Sequence, residues 1–378
     1  MLSAVGVLAG APLHAAGGGD GEPAASRLVD PQDGWLDVSG FLDSVYGFVP
    51  VIVPITEPAV GYGAAGALVF IDRKPPDSEG RYQRPNITAV GGLRTENGTH
   101  GLFAGHLGTW MDGKLRTQIA VADADVNLDF FGLGGDRNPG GAGLAYTIGA
   151  RGGVAGGSYR LGESSLWMGL RYALAKTNVT FSGPFAGLPG VAPADFDLRL
   201  AALTPSLTID TRDKFFTPTQ GWYVDLSVPL FREALGSDRN FQTASLTAIG
   251  YRRLSGALFF AMRGTAQTSS DGTPFYLRPF VALRGVEVLR YQGDQTAEAE
   301  AELRWQVHPR FSLVAFGGAG VARSQDAPSN PDKTVLSGGA GIRYLIARSY
   351  GLHMGLDVGV GPNGPILYVV FGSAWVRP

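Results

Sequence analysis

The sequence predicts an all-β protein, a transmembrane antiparallel β-barrel of about sixteen strands. Three observations carry this. Between Gln295 and Val307, Glu298, Glu300, Glu302 and Arg304 occupy one parity while Leu303, Trp305 and Val307 occupy the other, which is the period of a strand. Carboxylates on one face and Leu, Trp and Val on the other suit a strand between lipid and a wet lumen, because charge on the lipid side is costly. The same split recurs along the chain, with an aliphatic face opposed by glycine, small polar and charged residues. Finally, beyond the N-terminus no apolar run reaches the ~18 residues that a spanning helix needs. A chain that crosses a membrane here crosses it as strands.

The 378 residues include no Cys, 56 Gly and 44% hydrophobic residues, with a formal net charge of −2. Neither a composition shift nor a linker divides the chain, so one large barrel is expected rather than several soluble domains. Near-neutral charge gives no footprint for nucleic acid. The absence of Cys excludes disulfide frameworks and thiolate metal sites.

Residues 1–16 hold the run LSAVGVLAGAPLHAA. It reads as the end of a secretory signal with a small-residue cleavage site, although the basic n-region is missing. Residues 17–47 are rich in Gly, Asp, Glu, Pro and Ser, and are expected to form a disordered periplasmic leader. The barrel is expected over 48–378. Its first strand candidate is Phe48–Ile55, followed by the turn Thr56-Glu57-Pro58 and the glycine-dense segment Val60–Ile71.

Strand-like runs then follow at roughly twenty-residue spacing, separated by clusters such as Asp72–Pro76 and Gly134–Pro139. Leu166, Met168, Leu170, Tyr172 and Leu174 oppose Trp167, Gly169 and Arg171. Val224, Leu226, Val228 and Leu230 oppose Tyr223, Asp225 and Ser227; Leu352, Met354, Leu356, Val358 and Val360 oppose His353, Gly355, Asp357, Gly359 and Gly361. Period two does not say which face points inward. Glycine and Asp fill a core badly and line a hydrated lumen well, and this assigns the aliphatic face to lipid. The chain closes on Asn363–Trp375, where Leu367, Val369, Phe371 and Trp375 share a parity. That parity predicts a lipid-facing stripe ending in an interfacial aromatic.

Several stretches together resemble one family, the BamA/TamA-type outer-membrane proteins, or bacterial surface antigen family. Leu283-Arg284-Gly285 resembles the (V/L)RG(Y/F) signature of a loop that folds back into the lumen, and Glu302-Leu303-Arg304 resembles the E-x-R element of the following strand. Asp210-Thr-Arg212-Asp213 with Phe216, Pro218 and Gly221 is similar to the D-x-R-D…F-P-T-x-G segment that opens a barrel strand. Phe130–Gly134 looks like an aromatic-G-x-G turn, and Ser337–Tyr344 like the glycine-rich strand near the end. The C-terminal segment with Gly364, Phe371 and Trp375 resembles the barrel-assembly signal. There are departures. Val286 stands where the loop signature has an aromatic, and Gly318 where an F-x-D-x-G strand has the Asp that partners the loop arginine. No room is left for the family's periplasmic POTRA domains, so a short, barrel-only member is expected.

A buried guanidinium needs a carboxylate partner. With glycine at 318, the carboxylates near in sequence are Glu298, Glu300 and Glu302, and Arg284 is expected to pair with Glu302 or Glu300, latching the loop inside the barrel. The alternative leaves Arg284 solvated on an outer loop with Gly285 serving a turn. The first and last strands are poor pairing material, since Pro50, Pro54 and Pro365 lack ladder donors and Gly364 and Gly372 weaken packing. A laterally opening seam and ordinary proline-bearing edges both fit this.

The resemblance implies a bacterial outer-membrane protein that assists insertion or translocation of proteins. A passive pore or structural barrel plugged by its own loop is the alternative. Partners would be outer-membrane lipids, protein clients and periplasmic or lipoprotein helpers, with a homo-oligomer left open. No cofactor and no metal is expected. His14, His100, His106, His308 and His353 lack a metal-ligand spacing, and no G-x-S-x-G elbow or dinucleotide strand-helix unit is present, so no enzyme is expected.

Overall fold

A computed structural model describes residues 28–44, 47–72, 86–132, 143–182, 191–324 and 333–375. Its strands are β1 (Gly47–Ile55), β2 (Gly63–Asp72), β3 (Asn86–Thr95), β4 (His100–Trp110), β5 (Leu115–Phe130), β6 (Leu144–Arg160), β7 (Leu166–Phe181), β8 (Asp197–Asp210) and β9 (Gly221–Ser227). They continue with β10 (Leu230–Phe231), β11 (Phe241–Arg253), β12 (Leu258–Ser269), β13 (Gln295–Gln306), β14 (Phe311–Arg323), β15 (Lys333–Ala347), β16 (Leu352–Gly361) and β17 (Gly364–Phe371). All belong to one 17-stranded antiparallel β-barrel sheet. β9 and β10 both pair with β8 and β11. They are one strand interrupted at Val228-Pro229, where proline has no N–H for the ladder.

Registers run consecutively from β1–β2 to β16–β17. Among the described residues no register joins β1 to β17, so these two strands form the edges of a seam. We call the end where β1 starts and β17 finishes the lower end. The connection between β12 and β13 is therefore at the upper end.

The outer face is aliphatic along its middle. Leu102, Ile119, Val121, Leu170, Leu246, Leu303, Leu336 and Val358 are exposed on it. Trp110, Tyr159, Trp222 and Trp305 are exposed near the lower end, an aromatic girdle of the kind that meets a membrane interface. β5, β6 and β7 have 16, 17 and 16 residues, well beyond the ~9–11 that a tilted strand needs to cross. Above Val121 their outer face turns polar, with an exposed ion pair between Asp123 and Arg151.

The interior is filled rather than uniformly wet. In the upper half Phe275 and Tyr276 of the β12–β13 connection pack with Leu128, Phe130, Tyr146, Ile148, Val179 and Leu198 from the wall. Glycine and polar residues line only part of the inner face. Parity alone does not reveal that inward positions at the upper ends of β5–β8 are apolar.

Two further expectations change. Residues 28–44, within the stretch read as a disordered leader, are folded: a tight loop closes between Asp30 and Trp35, and a short helix α1 spans Ser39–Ser44. The acidic, Gly- and Pro-rich composition suggests disorder because the partners of its aspartates lie far along the chain. Trp375 is 6% exposed and packs inward on Tyr223, Ile249, Tyr251 and Ala261, away from the lipid interface. The cause is local. β17 ends at Phe371, and Gly372, at φ 76, turns the chain and donates its N–H to the His353 carbonyl. The strand's alternation does not extend through that left-handed residue. Residues 1–16, and Leu133 and Gly134 of the aromatic-glycine turn, lie outside the described residues.

Candidate functional site

The β12–β13 connection, residues 270–294, descends into the barrel. A bridge pairs Phe280 with Gln292, and Val281 donates to the Tyr291 carbonyl at 3.0 Å, so the loop is a narrow hairpin. Val281, Leu283, Val286 and Tyr291 form its apolar side, packed on Ala322 and Val335.

Glycines on the wall make room for it. A Cβ on Gly320 would stand 2.4 Å from Val281 Cγ1, and one on Gly318 would stand 2.9 Å from Leu283 Cδ2. Gly318 is the position where the resembled family carries Asp, and here the loop's own leucine occupies that space. The second glycine face of the sequence is thus partly a docking surface, a role distinct from lining water.

At the tip, Arg284 is buried among carboxylates of β13 and β16. Its Nε donates to Glu300 Oε1 at 2.6 Å, its backbone N–H to Glu300 Oε2 at 3.1 Å, and its Nη1 to Asp357 Oδ2 at 2.8 Å. Glu302 Oε2 lies 2.8 Å from the same Nη1. The guanidinium stacks 3.6 Å above the Phe316 ring, with Trp375 5.5 Å away. Asp357 in turn accepts from Arg343 Nη1 at 2.5 Å and Nη2 at 2.8 Å. On the other side Arg263 pairs with Glu298 at 3.1 Å and also donates to the Ala282 carbonyl, while Glu298 accepts the Ala282 N–H.

The patch holds four guanidiniums, Arg263, Arg284, Arg304 and Arg343, and four carboxylates, Glu298, Glu300, Glu302 and Asp357, all buried. Their formal charges cancel. A neutral balance of this kind is what lets so many ions leave water, since each buried charge needs a close opposite one.

Arg304, grouped with Arg284 from sequence, sits lower. It lies 4.3 Å from the Phe259 ring and 3.5 Å from His353 Nε2. Arg263, Arg343 and Asp357 are the members that sequence reasoning misses. In the sequence Asp357 reads only as a polar residue opposing the aliphatic face of its strand.

Gly285 has φ 89, and its N–H donates to the Tyr368 hydroxyl of β17 at 2.9 Å. Three residues on, Val288 N–H donates to Glu57 Oε1 at 3.2 Å, in the β1–β2 turn. Burial holds the Glu57 carboxyl above its ordinary pKa. The loop tip therefore bonds to both sides of the seam.

The Asp210-Arg212-Asp213 segment builds the lower turn between β8 and β9. Arg212 Nε and Nη2 donate to Asp210 at 2.8 and 2.9 Å, and its guanidinium lies 4.6 Å from the Tyr223 ring. Asp213 accepts the N–H and hydroxyl of Thr219 at 2.8 and 2.6 Å, and Pro218 is buried beside them. Gly221 closes the turn at φ 102, where a Cβ would stand 2.3 Å from the Thr211 carbonyl oxygen. This constellation is a turn clamp. Gly364, at φ 107, starts β17 after the turn at 362–363, and Phe371 ends it. Among the described residues no cluster of His, Asp and Glu has the arrangement of a metal site.

Several solved structures share the fold. BamA from Haemophilus ducreyi lacking POTRA domains 1–3 aligns at a TM-score of 0.58 and 13% identity, over 92% of this chain and 81% of that one. CdiB from Escherichia coli aligns at 0.58 and 15%, over 85% and 61%, and CdiB from Acinetobacter baumannii at 0.55 and 10%, over 88% and 66%. No curated protein matches the sequence. The Omp85 superfamily domain matches residues 142–364, more than half of the chain and the part that carries Arg284 and the carboxylates around it. With that match over more than half of its length, and with an antiparallel barrel and an inward-folded loop, this chain belongs to the Omp85 superfamily.

Proposed function

We propose that this protein sits in the bacterial outer membrane and assists the insertion or translocation of proteins by local opening of the seam between β1 and β17. The observation that carries the reading is the junction itself. Among the described residues the two edge strands share no ladder, and the loop tip bonds to Tyr368 on one side and Glu57 on the other. Pro50, Pro54 and Pro365 remove donors from both edges.

In this reading Arg284, Gly285, Glu300 and Glu302 latch the loop, with Arg304 supporting the wall below. The clamp of Asp210, Arg212, Asp213, Pro218 and Gly221 fixes the lower β8–β9 turn. Gly364, Phe371 and Trp375 belong to the C-terminal assembly signal, with Trp375 tucked beneath the Arg284 guanidinium. Membrane lipids contact the aliphatic belt, and clients engage the open edges by strand pairing. No bond is made or broken.

A second reading, a barrel plugged by its own loop, is favoured by the apolar packing of Phe275 and Tyr276 across the upper lumen. Assisted insertion separates the two. The protein and Arg284→Ala are reconstituted in liposomes, and the folding of a small unfolded outer-membrane protein is followed. Acceleration by the wild type that the variant loses supports the first reading; properly folded proteins that both fail to accelerate folding support the plug.

A further inference from the structure

The leader segment 28–44 docks onto the lower rim, on strands that lie beyond the seam from the one it feeds. It leads into β1, yet its contacts are with the β13–β14 turn, the β15–β16 turn and the end of β15. At its centre is Arg310, fully buried and almost 280 residues from its partners. Nε donates to Asp33 at 2.7 Å, Nη1 to Asp37 at 2.7 Å and to the Leu345 carbonyl at 3.0 Å, and Nη2 to Asp30 at 2.5 Å and Asp33 at 2.9 Å. All five guanidinium donors are used.

Arg348 adds a second cation. Its Nε lies 2.8 Å from Asp30, its Nη1 donates to Gln32 at 2.6 Å, and its backbone N–H donates to Asp37 at 3.0 Å. The backbone joins as well, with Val38 N–H on the Ile346 carbonyl at 2.8 Å. Trp35 packs on His308 and Phe311 at 5.6 Å and on Tyr344 at 6.4 Å between ring centres.

We propose that this leader is a strap across the lower end of the seam. β1 pairs only with β2, and β17 only with β16, among the described residues. The chain entering β1 is nevertheless fastened to β14, β15 and the turns beside them, on the β17 side. Splaying the edges at the lower end must therefore stretch or release the strap. The loop tip, on Tyr368 and Glu57, spans the same seam from above. Among the described residues, a junction without a ladder is thus spanned by two fastenings, one at each end. The lower one can let go without disturbing the buried charges of the lumen. The strap rests on the seam reading above and adds to it a regulated point of opening.

Hydrogen exchange tests this without any client. The full-length protein in nanodiscs is compared with Asp30→Asn/Asp33→Asn/Asp37→Asn and with Trp35→Ala, which keeps the aspartates and removes the aromatic docking. Amide exchange of β1 and β17 is read against that of β5–β8, and protease access reports whether the leader has been released. The expected result is a released leader with severalfold faster exchange confined to β1 and β17. A released leader with unchanged exchange at the seam overturns the strap, and so does a leader that stays protected in both variants. Assisted insertion by the same preparations is scored separately: faster seam exchange with no effect on client folding keeps the strap and removes the insertase reading.

Discussion

Gly285 and Gly359 meet backbone to backbone, so closely that a Cβ on Gly359 would stand 2.6 Å from the Gly285 nitrogen. The contact is reciprocal, since a Cβ on Gly285 would lie 2.9 Å from the Gly359 carbonyl carbon and 2.7 Å from the Val360 nitrogen. The loop therefore reaches its depth only where both surfaces lack side chains. Gly359→Ala is expected to lift the tip, lengthening the bond from Gly285 to Tyr368. Overpacking of this kind costs about 1–3 kcal/mol. The check is protease protection of residues 270–294 alongside denaturant unfolding, with loss of protection expected before loss of the barrel.

Arg284 neutralises a site that holds Glu300, Glu302 and Asp357. Arg284→Ala leaves those carboxylates facing one another, with Arg343 alone on Asp357, and removal of one partner from a buried pair costs about 3–5 kcal/mol. Glu300 receives both the Nε and the backbone N–H of Arg284, whereas Glu302 makes one contact, so Glu300→Gln is expected to loosen the loop more than Glu302→Gln. Unfolding midpoints of the three variants in urea test the order.

Much of this is legible in the chain, and the limits have physical causes. Alternation on β13 assigns Glu298, Glu300 and Glu302 to the inner face, since a two-residue period is local information. Asp357 is not connected to Arg284 by sequence because β16 is no ladder neighbour of β13, and only the path of the loop brings them together. The inward turn of Trp375 depends on Gly372 adopting φ 76, which alternation cannot foresee. The aspartates of the leader are a disordered composition until Arg310, far along the chain, supplies their charge partner.

The strap should respond to acid in a defined window. The hydrogen bond from Arg310 is the largest cause holding the Asp33 carboxyl down, from 3.8 to about 2. Asp37 is also lowered: burial opposes the shift, and bonds from Ser39, Arg310 and Arg348 outweigh it. A depressed folded pKa contributes stability that is complete above the unfolded value and lost as pH falls through the folded one. Asp30, Arg348, His308 and Tyr344 face the same cluster. The leader is expected to stay docked down to the ordinary carboxylate range and to release as pH approaches 2, read by Trp35 fluorescence against a Trp35→Phe control.

Ala301 is exposed on the outer face at the middle of β13, between inward Glu300 and Glu302. If that face meets hydrocarbon, Ala301→Arg costs roughly 2–4 kcal/mol in a bilayer. The same substitution should be nearly silent in a detergent that lets the side chain reach water. Refolding equilibria in the two environments give the comparison, and equal cost in both would count against the assigned lipid face.

Gly318 offers the sharpest contrast with the resembled pattern, which places Asp there as the partner of the loop arginine. In this chain Asp357 takes that part from β16, and Leu283 fills the space above Gly318. Gly318→Asp would bring a Cβ to 2.7 Å from the Ala299 carbonyl oxygen and 2.9 Å from Leu283 Cδ2. It would also place a fifth carboxylate beside four guanidiniums that four already balance. Both effects push the loop outward, so the substitution is expected to destabilise and to expose residues 270–294 to protease. Adding Asp357→Asn removes the surplus charge but not the steric conflict. Partial recovery in the double variant would assign the remainder to the Leu283 contact, and full recovery would show that charge balance outweighs the steric clash.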